Sequence, residues 1–418
     1  MSKTGSRAWR QPLDCGSLLP LCVSQPAADA VSAVESADAR HTQQAAPASK
    51  RQQAAAVQGL AALAQRIILR VWTGIVLAAL VILLVAHGPR ALAEVTGSPA
   101  PVKIFFDTDM ETDCDDAGAM AVLHALADNG ECEILATVVS VKDPSSAATV
   151  DAINTYYGRP NLPLGIVKGA GVLEKSRYVQ RIAQEFPNRV KSADDVPDAA
   201  LVYREVLEKQ PDHSVVVVTV GYMTNLKNLL QLPAEGAHAS GLDIIKAKAK
   251  TWVCMGGNFI GSPPKDDLKL GNVNFQRDAA SAIYAIQHWP VPLVFVGREI
   301  GSMPSGLQIG ESLAKTPREN PVRMAYYYYF GAQKKRHVAD IVTVLYAVRG
   351  LRDYWDIQAK GWMDIHADVT FEWKLDADRN QAYLLKKKRN GVPNDRYIES
   401  VLDELLIQPP RRQTAAPR

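Results

Sequence analysis

Cysteine is scarce in this 418-residue chain, with five in all: Cys15, Cys22, Cys114, Cys132 and Cys254. No CxxC pair and no Cys/His zinc spacing occurs, which excludes the common structural zinc modules. Three cysteines lie beyond residue 100, an odd number, so a full disulfide framework is excluded there as well. Charge of one sign is also lacking. The net charge is +3, and nine Lys/Arg against five Asp/Glu in residues 1–100 leave 38 against 39 in residues 101–418. A nearly neutral main body argues against a broad nucleic-acid footprint. The run Lys386-Lys387-Lys388-Arg389 reads as solvated surface. There is no internal repeat. The uncharged apolar run Val71–Ala86 is 16 residues long, short of the ~20 that span a bilayer comfortably. What is present is 47% hydrophobic residues, enough for a sizeable core.

Residues 1–65 are rich in Ala, Gln and Ser without sustained periodicity and read as a disordered, low-complexity segment. Residues 66–93 read as a signal peptide or membrane anchor. Arg66 and Arg70 flank the apolar run 71–86, and Ala91-Leu92-Ala93 supplies a small-x-small end before Glu94. The segment in front is long for a signal peptide, so either translation starts downstream of Met1 or the run anchors a chain with a cytoplasmic tail. Both readings put residues 94–418 outside the cytoplasm. Residues 94–408 read as one domain, and 409–418 as a flexible Pro/Arg-rich tail.

From residue 102 the pattern alternates. Short apolar runs predict strands at 103–106, 134–139, 164–167, 215–220, 251–255 and 293–296. Helical spacing predicts helices at 116–128, 145–157, 198–209, 224–230 and 278–288. Continuous runs such as Val215-Val216-Val217-Val218 suit strands buried on both faces. The expected fold class is α/β: a mainly parallel central sheet with helices on both faces. A further helix is expected at 338–348. A small C-terminal α+β extension follows, with strand-like pieces at 369–373 and 382–385 and a helix at 398–406.

The most informative feature is the run Asp107-Thr-Asp109-Met-Glu111-Thr-Asp113-Cys114-Asp115-Asp116, five aspartates in ten residues. Carboxylates this close repel one another unless something positive sits among them, and an oxygen-seeking cation such as Ca²⁺ or Mg²⁺ is the usual solution. One or two aspartates suffice to cap a helix; five do not follow from capping. The cluster leaves a predicted strand, and in open α/β sheets ligands bind outside the carboxyl ends of strands. Gly221-Tyr-Met-Thr224-Asn225, Met255-Gly-Gly-Asn258-Phe259, Asn272-Val-Asn274 before Asp278-Ala-Ala280, and Asp340 also stand where a strand ends or a helix begins.

These five motifs, in this order, resemble the calcium-dependent inosine–uridine-preferring nucleoside hydrolases and their wider relatives, over roughly residues 102–350. The resemblance implies a hydrolase that cleaves the N-glycosidic bond of a nucleoside or related ribosyl compound with a Ca²⁺-activated water. It implies roles residue by residue. Asp109 binds Ca²⁺ and acts as general base, Asp116 and Asp340 complete the carboxylate ligands, and the main-chain carbonyl of Val220 adds another. Asp115, Asn274, Asn272 and Asn258 hold substrate, and Asp107 orders the loop from behind. Such a partner is a small-molecule ribosyl substrate rather than nucleic acid, and the reading admits membrane anchoring through 71–86 and a homo-oligomer. The chain departs from the pattern by an acidic loop two residues longer, which sets Asp113 in competition with its neighbours. Glu111 stands for a glycine, Asn272 for a glutamate and Ala339 for a histidine; His337 is near but off register. Two rivals follow. One is a haloacid-dehalogenase-like phosphatase with Asp107 as nucleophile and Asp109 as acid/base, against which Asp266-Asp267 follows Pro263-Pro264-Lys265 where a closing acidic pair should follow an apolar strand. The other is a non-catalytic calcium-dependent sugar-binding protein.

Export predicts cleavage before Glu94 and release of a soluble domain. N-terminal sequencing of the mature protein from fractionated cells checks this: a chain beginning near Glu94 in the exported fraction is the expected result. Residues 1–93 recovered intact in the cytosol contradict it, and an intact chain in the membrane fraction favours the anchor.

Overall fold

A computed structural model describes residues 59, 63–75, 100–261, 273–302 and 306–411. The chain's internal contacts divide it at Val95/Thr96, and the two parts are described separately. In the first part, residues 63–75 form an exposed helix. Most of the low-complexity segment and the apolar run beyond residue 75 lie outside the described residues. Among the described residues no helix is long and apolar enough to cross a membrane.

The second part alternates strand and helix in the expected order: β1 (Val102–Thr108), α1 (Asp115–Asp128), β2 (Cys132–Val139), α2 (Pro144–Tyr156), β3 (Leu164–Ile166), α3 (Val179–Glu185), α4 (Ala199–Glu208), β4 (Val215–Thr219), α5 (Thr224–Gln231), α6 (Gly241–Lys248), β5 (Ala249–Met255), α7 (Val273–Gln276), α8 (Ala279–His288) and β6 (Leu293–Val296). Then come α9 (Arg298–Gly301), β7 (Gln308–Ile309), α10 (Pro321–Phe330), β8 (Arg336–His337), α11 (Ala339–Arg349), β9 (Trp355–Gln358), β10 (Trp362–Ile365), β11 (Phe371–Lys374), β12 (Gln381–Lys386) and α12 (Asp395–Leu406). Aspartates at the predicted starts cap their helices: Asp143 accepts from Ser145 N, Asp198 from Ala200 N and Asp278 from Ser281 N.

The main sheet has eight strands in the order β3-β2-β1-β4-β5-β6-β12-β9. All neighbours pair in parallel except β12 and β9. The C-terminal extension is therefore partly merged with the core, since two of its strands lengthen the sheet while β10 and β11 form a separate hairpin. Alternate residues of one strand feed opposite faces, as the two-residue period requires. Ile104, Phe106, Val216 and Val218 join one buried cluster with α1, α2, α11 and α12. Phe105, Val215 and Val217 join the other with α4, α5, α6 and α8. A sheet covered on both faces accounts for the unbroken valine run of β4.

The strand order reverses between β1 and β4. Such a switch point leaves a crevice at the carboxyl ends of the two strands, because the flanking connections depart in opposite directions. Trp252, fully buried in β5, donates from Nε1 to Thr219 Oγ1 on β4 at 2.8 Å and so ties the wall of that crevice together. Trp252→Ala is expected to cost about 3–5 kcal/mol of stability, measured by urea unfolding; a loss under about 1 kcal/mol would show that this wall repacks freely.

Candidate metal and substrate site

β1 runs buried to its end and delivers the acidic loop directly into the crevice. α1 then begins at Asp115, with Cys114 at the N-cap position and no side-chain cap hydrogen bond. The aspartates are therefore not caps. Asp115 and Asp116 occupy the first turn of α1, where the helix dipole favours negative charge. The end of β4 passes immediately behind Asp109. A Cβ on Gly221 would lie 2.5 Å from Asp109 Cβ and from its backbone nitrogen, so only glycine permits this approach.

Asp107 points away from the crevice into the scaffold. It is 1% exposed and accepts hydrogen bonds from Tyr203 Oη at 3.1 Å and from Asn225 Nδ2 at 3.0 and 3.2 Å. Burial raises its pKa well above the usual carboxylate range, against the lowering effect of those donors. The backbone repeats the tie, Val220 N donating to the Asp107 carbonyl at 2.9 Å. Thr224 Oγ1 donates to Asp278 Oδ2 at 2.5 Å, which links two of the sequence motifs as framework rather than as substrate groups.

Asp109, Asp113, Asp115 and Asp340 line one cavity of about 380 Å³, together with Val220, Asn274, Arg277, Arg298, Arg336 and His337 among others. Asp116 lies beside it, its Oδ1 accepting a short hydrogen bond from Thr108 Oγ1. One oxygen each from Asp113, Asp116 and Asp340 lie within 4.8 Å of one another. Asp109 is on the same wall without belonging to that threesome, and Asp113 takes the third place. The longer loop explains the difference, because its extra residues carry Asp113 around to Arg336, whose Nη2 donates to Asp113 Oδ2 at 2.7 Å.

The electrostatics divide the carboxylates in two. Burial, followed by the charges of neighbouring aspartates, raises the pKa of Asp109, Asp116 and Asp340 well above the ordinary range. Burial and the Asp115 charge push Asp113 up to about 7, against the Arg336 charge. Asp115 goes the other way. Burial would raise it, but His337 and Arg336 outweigh burial and hold it far below the usual range. Arg336 Nε donates to Asp115 Oδ1 at 3.2 Å, and His337 Nδ1 stands 3.3 Å from Asp115 Oδ2. Among the described residues no Lys, Arg or His pairs with Asp109, Asp116 or Asp340. Three buried carboxylates without a cation, offering only oxygen, fit a hard divalent ion.

The remaining expectations fall out unevenly. Asn274 is at the cavity, but its Nδ2 donates to the Val220 carbonyl at 2.7 Å and to the Met255 carbonyl at 3.1 Å, bridging the ends of β4 and β5. A carbonyl oxygen has two lone pairs, so Val220 retains one for another partner. Asn258 is buried behind the lining, and among the described residues neither polar atom of its amide has a hydrogen-bond partner. Asn272 and the pair Asp266-Asp267 lie outside the described residues. Arg336, Arg277 and Arg298 were not singled out from sequence. The basic stretch Lys334-Lys335-Arg336-His337 just before Asp340 was the available signal for the first.

No family model matches the chain, and no curated protein does. Solved structures do. A plant nucleoside hydrolase matches with a TM-score of 0.54 at 16% identity, over 74% of this chain and 100% of its own. An inosine–uridine-preferring nucleoside hydrolase from Bacillus anthracis matches with a TM-score of 0.52 at 15% identity, over 73% and 99%. The type III effector protein XopQ, solved with adenosine diphosphate ribose, matches with a TM-score of 0.51 at 15% identity, over 74% and 93%. The chain has the nucleoside hydrolase fold.

The raised carboxylates make a pH prediction for the metal-free protein. A folded pKa above the unfolded value of about 3.9 contributes stability that is full below that value and lost as pH rises through the folded pKa. With chelator present, the melting temperature is expected to climb as pH falls from 8 towards 5, since Asp113 titrates near 7. Added Ca²⁺ is expected to stabilise most at the alkaline end and flatten the slope. A chelated protein most stable at alkaline pH would contradict the cluster's electrostatics.

Proposed function

We propose that the chain is a hydrolase that cleaves the N-glycosidic bond of a nucleoside or related ribosyl compound, with Ca²⁺ held by oxygens of the Asp109, Asp113, Asp116 and Asp340 carboxylates and the Val220 carbonyl. The observation that carries this reading is the convergence of Asp109, Asp113, Asp115 and Asp340 on one cavity at the sheet's switch point. The fold shared with nucleoside hydrolases supports it.

A bound divalent cation supplies a water of lowered pKa and offsets the crowded negative charge. Asp109, on the cavity wall, would take up the attacking water's proton at its carboxylate. Asp115, kept ionised by Arg336 and His337, faces the sugar, where positive charge builds as the glycosidic bond breaks. Asn274 orients a ribose hydroxyl through its amide. His337 Nδ1 is turned to Asp115, which leaves Nε2 for the leaving group. The phosphatase alternative fits poorly, because its nucleophile Asp107 is buried with both oxygens engaged. We further propose that the protein acts after export.

The test is release of reducing sugar from a nucleoside panel, with and without chelator. Asp109→Ala is expected to lower kcat by at least about 10²-fold and to weaken Ca²⁺ binding together. Asn274→Ala is expected to raise KM while Ca²⁺ still binds. Equal metal loss in both variants contradicts this division of labour. Phosphate release from sugar phosphates supports the phosphatase, and Ca²⁺-dependent sugar binding without turnover supports a binding protein.

A further inference from the structure

Two buried polar groups flank Asp109 and have no role in the chemistry above. One is Tyr222, the residue after Gly221 at the end of β4. It is fully buried, and its Oη has no hydrogen-bond partner among the described residues. The other is Glu111, two residues after Asp109 in the acidic loop. It is also fully buried; its Oε2 accepts from Glu174 N at 3.0 Å, while Oε1 has no partner among the described residues. A hydroxyl buried without a partner forfeits the hydrogen bonds it made to water, so its presence needs a reason.

The placement of Tyr222 follows from its neighbours. Gly221 brings the backbone of this turn against Asp109, since a Cβ there would stand 2.5 Å from Asp109 Cβ. Val220 N donates to the Asp107 carbonyl at 2.9 Å and fixes the register of the turn against β1. Met223 joins the buried cluster of α4, α5, α6 and α8. Tyr222 joins the opposite cluster, which holds Met110 and Cys114 of the acidic loop. Burial raises the pKa of its hydroxyl. The charges of Asp109, Glu111 and Asp116 raise it further, in that order, and so does Asp109 as a hydrogen-bonding neighbour. A phenol so placed keeps its proton and has it to offer to an acceptor. Asp109 lines the cavity and Tyr222 does not. The hydroxyl thus approaches Asp109 from behind, and contacts of this kind often tighten only when a site is filled.

We propose that Tyr222 is a positioning residue: with a cation bound, its hydroxyl donates to one carboxylate oxygen of Asp109 and leaves the other turned to the cavity. This rests on the reading of Asp109 as a metal-holding base. A carboxylate accepts at either oxygen, and a hydrogen bond to an ionised acceptor is shorter and stronger than one between neutral groups. Of the two acceptors near Oη, Asp109 is the one that a bound cation keeps ionised, so it draws the donor away from Glu111.

The experiment uses the full chain and compares the wild type with two variants. Tyr222→Phe keeps the ring and removes only Oη; Glu111→Gln keeps an acceptor for Glu174 N. Ca²⁺ binding is measured by calorimetry, melting temperature with and without chelator, tyrosine ultraviolet difference spectra on adding Ca²⁺, and base release from a nucleoside panel. Tyr222→Phe is expected to weaken Ca²⁺ binding by about tenfold, the worth of one hydrogen bond to a charged group, and to lose a Ca²⁺-induced tyrosine signal that Glu111→Gln retains. With chelator present it is expected to melt no lower than the wild type, because the hydroxyl it lacks had no partner to lose. Turnover is expected to fall in kcat with KM unchanged, as Tyr222 does not line the cavity. Equal loss of stability with and without Ca²⁺ marks a hydroxyl that serves the scaffold alone and overturns the proposal. Loss of the tyrosine signal in Glu111→Gln assigns the hydroxyl to Glu111 and overturns it too. Weaker Ca²⁺ binding by Tyr222→Phe in a chain that releases no base upholds the positioning role and removes the hydrolase reading. Base release and Ca²⁺ binding that are both unchanged in Tyr222→Phe do the reverse.

Discussion

Mutual repulsion among buried carboxylates is the constraint on which this molecule turns. Asp109, Asp115, Asp116 and Asp340, with half-buried Asp113 beside them, are gathered where two strands part, and burial strips away water that would ordinarily screen them. One arginine and one histidine answer part of that charge, on Asp113 and Asp115. The rest is answered by protonation or by a cation. Burial and the neighbouring charges raise the pKa of Asp109, Asp116 and Asp340, which favours protonation when no cation is bound. A divalent ion relieves the same strain and leaves the carboxylates charged for chemistry.

Everything nearby serves to hold that arrangement. Asp107, Tyr203 and Asn225 pin the end of β1 to α4 and α5. Gly221 lets β4 pass behind Asp109 with no side chain between them. Thr224 and Asp278 tie α5 to the start of α8, and Asn274 ties β4 to β5. The scaffold must be rigid, because a like-charge cluster that could spread apart would do so.

Much of this was legible in the chain. The six core strands and the main helices stand within a few residues of where their apolar periodicity puts them, since strands buried on both faces and helices capped by aspartate leave strong local marks. Strand β11 stands where the strand-like piece at 369–373 put it, but helices α3 and α6 and its partner β10 were not legible, being short and weakly periodic. The placement of β9 and β12 in the main sheet was not legible either, because partner choice between strands leaves no local trace. At the site, the acidic run and Asp340 were visible as residue types in sequence. Arg277 and Arg298 were not, as a single arginine in a loop looks like any solvated charge.

The sequence by itself determined that charge would be concentrated at one strand end, and it determined which elements would form, because both follow from neighbours in the chain. Only the tertiary structure decided which aspartates meet. Asp113 stands with Asp116 and Asp340, and Asp340 is more than two hundred residues away in the chain. Only the tertiary structure turned Asp107 inward to Tyr203 and Asn225, and brought Arg336 to Asp113 and Asp115. The physical reason is that a carboxylate's role depends on burial and on what charge stands within a few ångströms of it, and those are properties of packing rather than of order along the chain.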